Sequence, residues 1–498
     1  MRRRFHPAPA ALASVALLVS LAFPAGASVG VETPGEPNVS TGDLRFHANA
    51  VAYRQGASDA RAEFFIRIPY REIRFVPTGD RYEGRLRVTV ELSREGGRRV
   101  GYEQKEARLQ STDLAATQDS LLGEVYTVGL VAPRGEYRFR VTVEDMNVAR
   151  RGLIYQMKNK KRQGEVRGQI DMGGWMFADP ALSGIEFAWS VRDRTPESSF
   201  GKGGYDVLPH PSAYYGLFRD VVSAYYEIYD APPPPEGRAY RVRSMILGSA
   251  GDTLMESIDS LRAADGTAWP HVVRADVASL PTGHYRLRLD LLDDADAPVA
   301  TTQAEFDMLW EAESWSPDAV NLYDIAASTL MTQTEADGFR ELSRGAKEEA
   351  LGKLWRSIDP TPDTAENELK RTFQDRVDYA NAHYTVFQKG MFSDRGHVWI
   401  QFGEPDEIRI ERIPVSDRTL GVVAEGQIPK SSKDLLTRPD TGIADSRPYE
   451  IWTYQLSGRE VVPRHRMNDV SGGMKFVFVD EHGYGEYTLR YSSVSGFR

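Results

Sequence analysis

From about residue 43 to 150, apolar and polar residues alternate. In "RLRVTVEL", Leu86, Val88, Val90 and Leu92 fall on one face and Arg85, Arg87, Thr89 and Glu91 on the other. "YRFRVTVED" repeats the pattern with Tyr137, Phe139, Val141 and Val143. A period of two with one apolar face predicts antiparallel sandwich strands, covered on one side and wetted on the other. "REGGRR" (94–99) supplies a hairpin turn. "PRGEYRFRVTVED" (133–145) is echoed by "PTGHYRLRLDLLD" (281–293) at a fixed offset of 148. In both, Pro and Gly turn the chain before a strand that opens on Tyr. The echo predicts a second sandwich. "APPPPEG" (231–237) lies between two alternating runs and reads as a stiff hairpin loop.

Near residue 311 the period changes. "SPDAVNLYDIAASTL" offers Ser316 as a cap and Pro317 at the first helical position. A further helix is expected from Thr334. "KEEALGKLWRSI" spaces Leu351, Leu354, Trp355 and Ile358 for one helical face, and a helix from Thr364 does the same with Leu369, Phe373, Val377, Ala380 and Tyr384. Strands are then expected in "HVWIQF", "YEIWTYQ", "MKFVFVD" and "EYTLRYS". Helices followed by antiparallel strands make an α+β domain. Residues 412–447 show little periodicity and read as a long loop.

The first 27 residues stand apart. Arg2, Arg3 and Arg4 precede a short apolar run (10–23), and Ala25-Gly26-Ala27 forms a small-x-small cleavage site. This is the pattern of a cleavable signal peptide, and the apolar run is shorter than the ~20 residues of a spanning helix. No later stretch is long and apolar enough to span a bilayer. Residues 28–42 read as a polar linker, and 151–170, within the most basic stretch of the chain, as a second linker. The formal net charge is -10, and residues 1–27 hold three arginines and no acid, so the remainder sits near -13. That balance argues against nucleic acid as a partner. Cysteine is absent, which removes disulfides, thiolate chemistry and a lipid-bearing cysteine.

Candidate chemistry is sparse. The nine histidines include no HxH or HExxH pair, and Ser199–Lys202 spells S-x-x-K in a glycine-rich loop. Charge concentrates in "GMFSDRGHVWIQFGEPDEI" (390–408), which carries Asp394, Arg395, His397, Glu404, Asp406 and Glu407. Tyr449, Glu450, Trp452 and Tyr454 follow on a predicted strand. Crowded carboxylates beside aromatics suit acid–base work if burial raises one pKa, and oxygen ligands suit a divalent cation. Turn hydrogen bonds and an arginine clamp account for the same residues structurally.

This C-terminal part resembles the GWxTD domain of exported bacterial proteins. The motif aligns on Gly390, Met391, Phe392, Ser393 and Asp394, with Gly and Asp retained, Met391 in place of Trp and Ser393 in place of Thr. "SIDPTPDTAENELKRTF" (357–373), "RVDYANAHY" (376–384), "DRGHVWIQFGEPDEI" (394–408) and "PYEIWTY" (448–454) resemble the family's flanking blocks. The resemblance covers about 311–498. It implies no established activity, substrate or cofactor, and no catalytic residue is carried over. Met at the motif's Trp position favours a core role there.

The expected architecture is multidomain: a signal peptide (1–27), a linker (28–42), a β-sandwich (43–150), a basic linker (151–170), a second β-sandwich (171–310) and an α+β domain (311–498). The expected function is that of an exported, periplasmic or extracellular, non-enzymatic binding or scaffold protein. Its C-terminal domain would contact a protein or glycan of the envelope, without cofactor or metal. Candidate binding residues are Asp394, Arg395, His397, Trp399, Glu404, Asp406, Glu407, Glu450, Trp452 and Tyr454, with His397, Trp399, Trp452 and Tyr454 forming an exposed strand face. The alternative is a hydrolase acting on an envelope polymer through the clustered carboxylates.

Overall fold

The computed structural model describes residues 38–119, 122–147, 162–230, 240–261, 268–315, 319–364, 367–386, 388–412, 447–455 and 474–494. The signal segment, residues 28–37 of the first linker, the basic run 149–161, "APPPPEG", Ser316, Pro317 and residues 413–446 lie outside them.

Two β-sandwiches are followed by an α+β unit. The first sandwich pairs a six-stranded antiparallel sheet with a three-stranded one. The larger sheet runs Thr41–Gly42, Gln163–Met172, Gly135–Asp145, Arg81–Ser93 and Val76–Thr78, and Arg99–Ser111 also pairs with Arg81–Ser93. The smaller runs His47–Gln55, Asp59–Pro69 and Gly123–Pro133. Leu86, Val88, Val90 and Leu92 point into the core between them, as the alternation requires. Ser93 opposes Arg99 across the "REGGRR" hairpin.

Both predicted linkers are partly strand. Thr41–Gly42 pairs with Gln163–Met172, which lies against Gly135–Asp145 over its whole length. Residues 163–170 therefore complete the first sandwich. Their inward positions include Gly164 and Gly168, whose lack of side chains weakens the apolar signal.

In the second sandwich, one sheet runs Ala181–Leu182, Val221–Tyr229, Glu186–Asp193, Tyr205–Pro209 and Gly201–Lys202, with Ala268–Asp276 on Val221–Tyr229. The other runs Tyr214–Gly216, Pro298–Leu309, Gly283–Leu292, Tyr240–Leu247 and Thr253–Leu261. Val221–Tyr229 and Tyr240–Leu247 thus belong to opposite sheets and are not paired as the arms of one hairpin. The sequence echo has a physical counterpart. Tyr137 donates its hydroxyl to the Pro133 carbonyl at 2.5 Å, and Tyr285 to that of Pro281 at 2.9 Å. Each is a tyrosine pinning the turn that feeds its own strand.

The sandwiches meet through a small core of Val51, Tyr53, Phe65, Ala188, Val207 and Tyr225. Lys202 enters this interface. It bonds Glu63 of the first sandwich and Glu186 of its own at 2.6 Å, and stands 4.4 Å from the Tyr53 ring centre. The Tyr53 hydroxyl donates to Glu186 at 2.6 Å.

Among the described residues the α+β unit holds five α-helices: α1 (Ala319–Leu330), α2 (Gln333–Arg340), α3 (Arg344–Ser357), α4 (Glu368–Tyr384) and α5 (Asp394–Phe402). The terminal sheet runs Glu407–Glu411, Tyr449–Tyr454, Met474–Asp480 and Tyr487–Ser492. Thr332 caps α2 through a reciprocal box with Glu335, and Asn367 caps α4, two and three residues from the expected starts. "HVWIQF" is helix, not strand. α3 seats on the second sandwich: a Cβ at Gly345 would lie 2.1 Å from the Gly283 carbonyl oxygen, and Ser343 donates to Asp307 at 2.8 Å.

Candidate functional site

The charged stretch 390–408 is built around a close helix contact. Gly390 lies so near α4 that a Cβ there would sit 1.8 Å from the Ala380 carbonyl oxygen, and one at Gly396 would sit 1.9 Å from the Gly390 oxygen. Only glycine allows either approach. The Gly390 amide donates to Thr385 Oγ1 at 2.9 Å, and the Met391 amide to Asn381 Oδ1 at 3.0 Å. Met391 is buried in the core. Ser393 caps α5: its hydroxyl accepts from the Gly396 amide at 3.0 Å and donates to the Gly390 carbonyl at 2.7 Å. Asp394 opens the first helical turn, where a negative charge suits the helix N-terminus.

The charged side chains then tie α5 to the terminal sheet. Asp394 accepts from the Leu489 amide at 2.6 Å. Arg395 donates to Glu450 at 3.1 Å and to the Gly485 carbonyl at 3.1 Å. Its guanidinium stands 4.3 Å from the Tyr487 ring centre and 5.0 Å from that of Tyr384. Glu450, buried, also accepts from Trp452 Nε1 at 3.0 Å. His397 is half-buried, and burial lowers its pKa while the nearby Asp394 opposes the shift.

The expected aromatic face does not exist as a surface. Trp399, Trp452 and Tyr454 are 7%, 1% and 2% exposed. Trp399 stacks on Tyr379 with ring centres 4.0 Å apart, and Tyr454 donates to the Gly403 carbonyl at 2.9 Å. The helical form of Asp394–Phe402 turns Val398, Trp399 and Phe402 onto one buried side.

The carboxylates have separate partners. Asp406 accepts from the Gln455 amide at 2.7 Å, while Glu404 and Glu407 are exposed. Among the described residues no group of three His, Cys, Asp or Glu side chains is placed to hold a metal ion. Asp394, Arg395 and Glu450 are therefore gathered into one scaffold network, and Glu404, Asp406 and Glu407 stand outside it.

A different feature of this unit went unread in the sequence. A groove of about 760 Å³ lies between α1, α3 and α4. Leu322, Ala326, Leu351, Trp355 and Phe373 supply its apolar lining, and Glu311, Glu348, Lys370, Arg371 and Asp375 its charges. The apolar spacing of each helix was legible; the gap left between three such faces was not.

The model of the GWxTD domain matches residues 299–413, so this part of the chain is a GWxTD domain. The match takes in the groove and the 390–394 motif but ends before Tyr449, short of the expected extent to 498. No curated protein matches the chain. Similar solved structures include a Bifidobacterium dentium β-glucuronidase complexed with coumarin-3-O-glucuronide, at 10% identity and TM-score 0.17, over 50% of this chain and 39% of that one. A Bacteroides uniformis β-glucuronidase is also similar, at 10% identity and TM-score 0.17, over 49% and 26%. The chain thus spans well under half of each. Likeness at these scores transfers no activity.

Proposed function

We propose that the chain is exported through a signal peptide at residues 1–27, to the periplasm or the cell exterior, and acts there as a non-catalytic binding or scaffold protein. Its C-terminal domain contacts a protein or glycan partner through the α1–α3–α4 groove. The observation that carries this reading is the groove itself, lined by both apolar and charged side chains, inside the GWxTD segment. Such a surface suits an amphipathic protein segment better than a polymer to be cleaved. The chemistry of 390–408 supports the same reading, because Asp394, Asp406 and Glu450 each hold a fixed structural hydrogen bond. The sandwiches serve as a rigid stalk, braced by Lys202 between Glu63 and Glu186.

Gly352 of α3 borders the groove, and a Cβ there meets nothing closer than the Arg356 side chain at 3.5 Å. Gly352→Trp should fill the groove without deleting core atoms. Wild type and variant are compared by cross-linked capture from envelope extracts, with and without protease treatment. Loss of one defined partner with an unchanged melting temperature is expected. Equal capture by both proteins sinks the groove reading. Protease resistance of the captured species would identify a glycan. An unprocessed N-terminus on the protein from its native cell would defeat the export reading.

A further inference from the structure

A smaller cavity, of about 140 Å³, opens where the two sandwiches and the start of α3 meet. Beside it the sandwiches are tied by a hydrogen bond from the Gly184 amide to the Ala52 carbonyl at 3.1 Å. Asn38 and Asn49 line it from the first sandwich, and Gln303, Glu305 and Asp307 from one strand of the second. Val51, Ile185 and Phe306 give it an apolar wall. Among the described residues no lysine or arginine lines it.

Three observations show hydrogen-bonding capacity that the fold leaves unused here. The first is a strand edge. Pro298–Leu309 pairs with Gly283–Leu292 along one edge, but on the other Tyr214–Gly216 covers only Asp307, Met308 and Leu309. The Asp307 amide points to that second edge, since it donates to the Ala213 carbonyl at 3.0 Å. By the two-residue period of a strand, the amides and carbonyls of Gln303 and Glu305 point the same way, and among the described residues no strand pairs with them there. The second is a set of side-chain amides. Asn49 Oδ1 accepts from the Ala50 amide at 2.7 Å, but Asn49 Nδ2 and the whole amides of Asn38 and Gln303 form no hydrogen bond among the described residues. The third is a buried carboxylate. Asp307 is 6% exposed, and its Oδ1 accepts from Ser343 at 2.8 Å and from His284 at 2.9 Å. Its Oδ2 takes no donor and keeps accessible surface, and this cavity is the space that Asp307 lines. The fixed charges already offset one another: His284 Nε2 stands 3.7 Å from the Glu305 carboxylate, and Arg286 acts on Glu305 as well.

We infer that this cavity binds one ring of a neutral sugar. Its hydroxyls exchange hydrogen bonds with the amides of Asn38, Asn49 and Gln303 and with Asp307 Oδ2, and its C–H face rests against Val51 and Phe306. A hydroxyl both donates and accepts, which matches amides that offer both. The volume is close to that of the ~150 Å³ cavity that admits a benzene ring. It therefore takes a single ring, with substituents at the open mouth, and not a peptide strand, although an open strand edge by itself would invite one. The remainder of a glycan would leave past Glu305, which is exposed. This site is independent of the α1–α3–α4 groove.

The test is ligand-observed NMR titration of the full chain with glucose, galactose, mannose and N-acetylglucosamine, and with glucuronate and galacturonate as acidic counterparts of the first two. At least one neutral sugar should bind saturably, and neither acid should gain over its neutral counterpart. Asn38→Gly keeps the left-handed backbone at φ 65° and the bond from the Ala48 amide to the residue 38 carbonyl while deleting the side-chain amide. Gln303→Ala deletes a second amide without removing a hydrogen bond within the protein. Each variant should weaken the sugar about fivefold or more at an unchanged melting temperature, and Gly352→Trp, in the groove, should leave sugar binding as it is. Absence of saturable binding by every neutral sugar overturns the inference. So does an acid that binds about tenfold tighter than its neutral counterpart, full affinity in either Asn38→Gly or Gln303→Ala, or loss of sugar binding in Gly352→Trp.

Discussion

Replacing Arg395 with methionine tests whether the charge of the 390–408 stretch is scaffold. Methionine keeps much of the side chain between Tyr384 and Tyr487 but removes the guanidinium. Glu450 would then stay buried with Trp452 Nε1 as its remaining side-chain donor. The two side chains are 12% and 10% exposed, so solvent screens the pair little. Removing one partner of a buried pair costs ~3–5 kcal/mol. The lost cation–π contacts belong to the same desolvated cluster and are not an independent sum. At ~2–4 °C per kcal/mol, the melting temperature should fall by roughly 6–20 °C. Urea unfolding followed by tryptophan fluorescence reads the change, since Trp452 is bonded to Glu450 itself. Arg395→Met with Glu450→Gln keeps an acceptor for Trp452 and removes the stranded charge, so it should recover all but ~1–2 kcal/mol. If Arg395→Met alone lies within ~1 kcal/mol of wild type, the network is not structural and the reasoning fails.

Lys202→Met leaves Glu186, at 1% side-chain exposure, buried without its cation while Glu63 keeps Arg61 at 2.8 Å, and should lower stability by ~3–5 kcal/mol in a urea titration; adding Glu186→Gln should restore most of it, and an unchanged midpoint for Lys202→Met would refute the brace. His284 is held by Asp307 at 2.9 Å, and although burial lowers its pKa, the hydrogen bonds it donates to Asp307 and Glu305 outweigh this and raise it to about 10. The folded protein therefore binds this proton more tightly than the unfolded chain. Its stabilisation is complete below about pH 6.5 and fades as pH climbs through about 10; melting curves of His284→Gln against wild type should converge over that interval, and a constant gap would contradict the assignment.

Much of the architecture was legible because its signals are local. Strand alternation such as Leu86 to Leu92 depends on backbone geometry alone. The repeated Pro-x-Gly-x-Tyr marks a turn whose tyrosine reaches back only four residues, so it could be read twice and paired. Amphipathic spacing likewise located α3 and α4. Where two periods fit, tertiary context chose. Val398, Ile400 and Phe402 alternate as a strand would, yet Ser393 caps a helix there, and packing on α4 and the terminal sheet buries Trp399 with them. Gln163–Met172 was hidden because two inward positions are glycines.

The candidate site divides in the same way. The sequence by itself determined that charge gathers at 390–408, that a GWxTD-like motif sits there, and which helices have apolar faces. Only the tertiary structure decided that Arg395 and Glu450 meet, that Trp452 and Tyr454 are core, and that Lys202 of an unpromising glycine-rich loop bridges two domains. It alone decided that Asn49 and Gln303, 254 residues apart, border one cavity. The reason is physical: local propensity follows from the few residues that share a turn or a strand. Burial, charge pairing and cavities are properties of surfaces that come together only when distant segments pack.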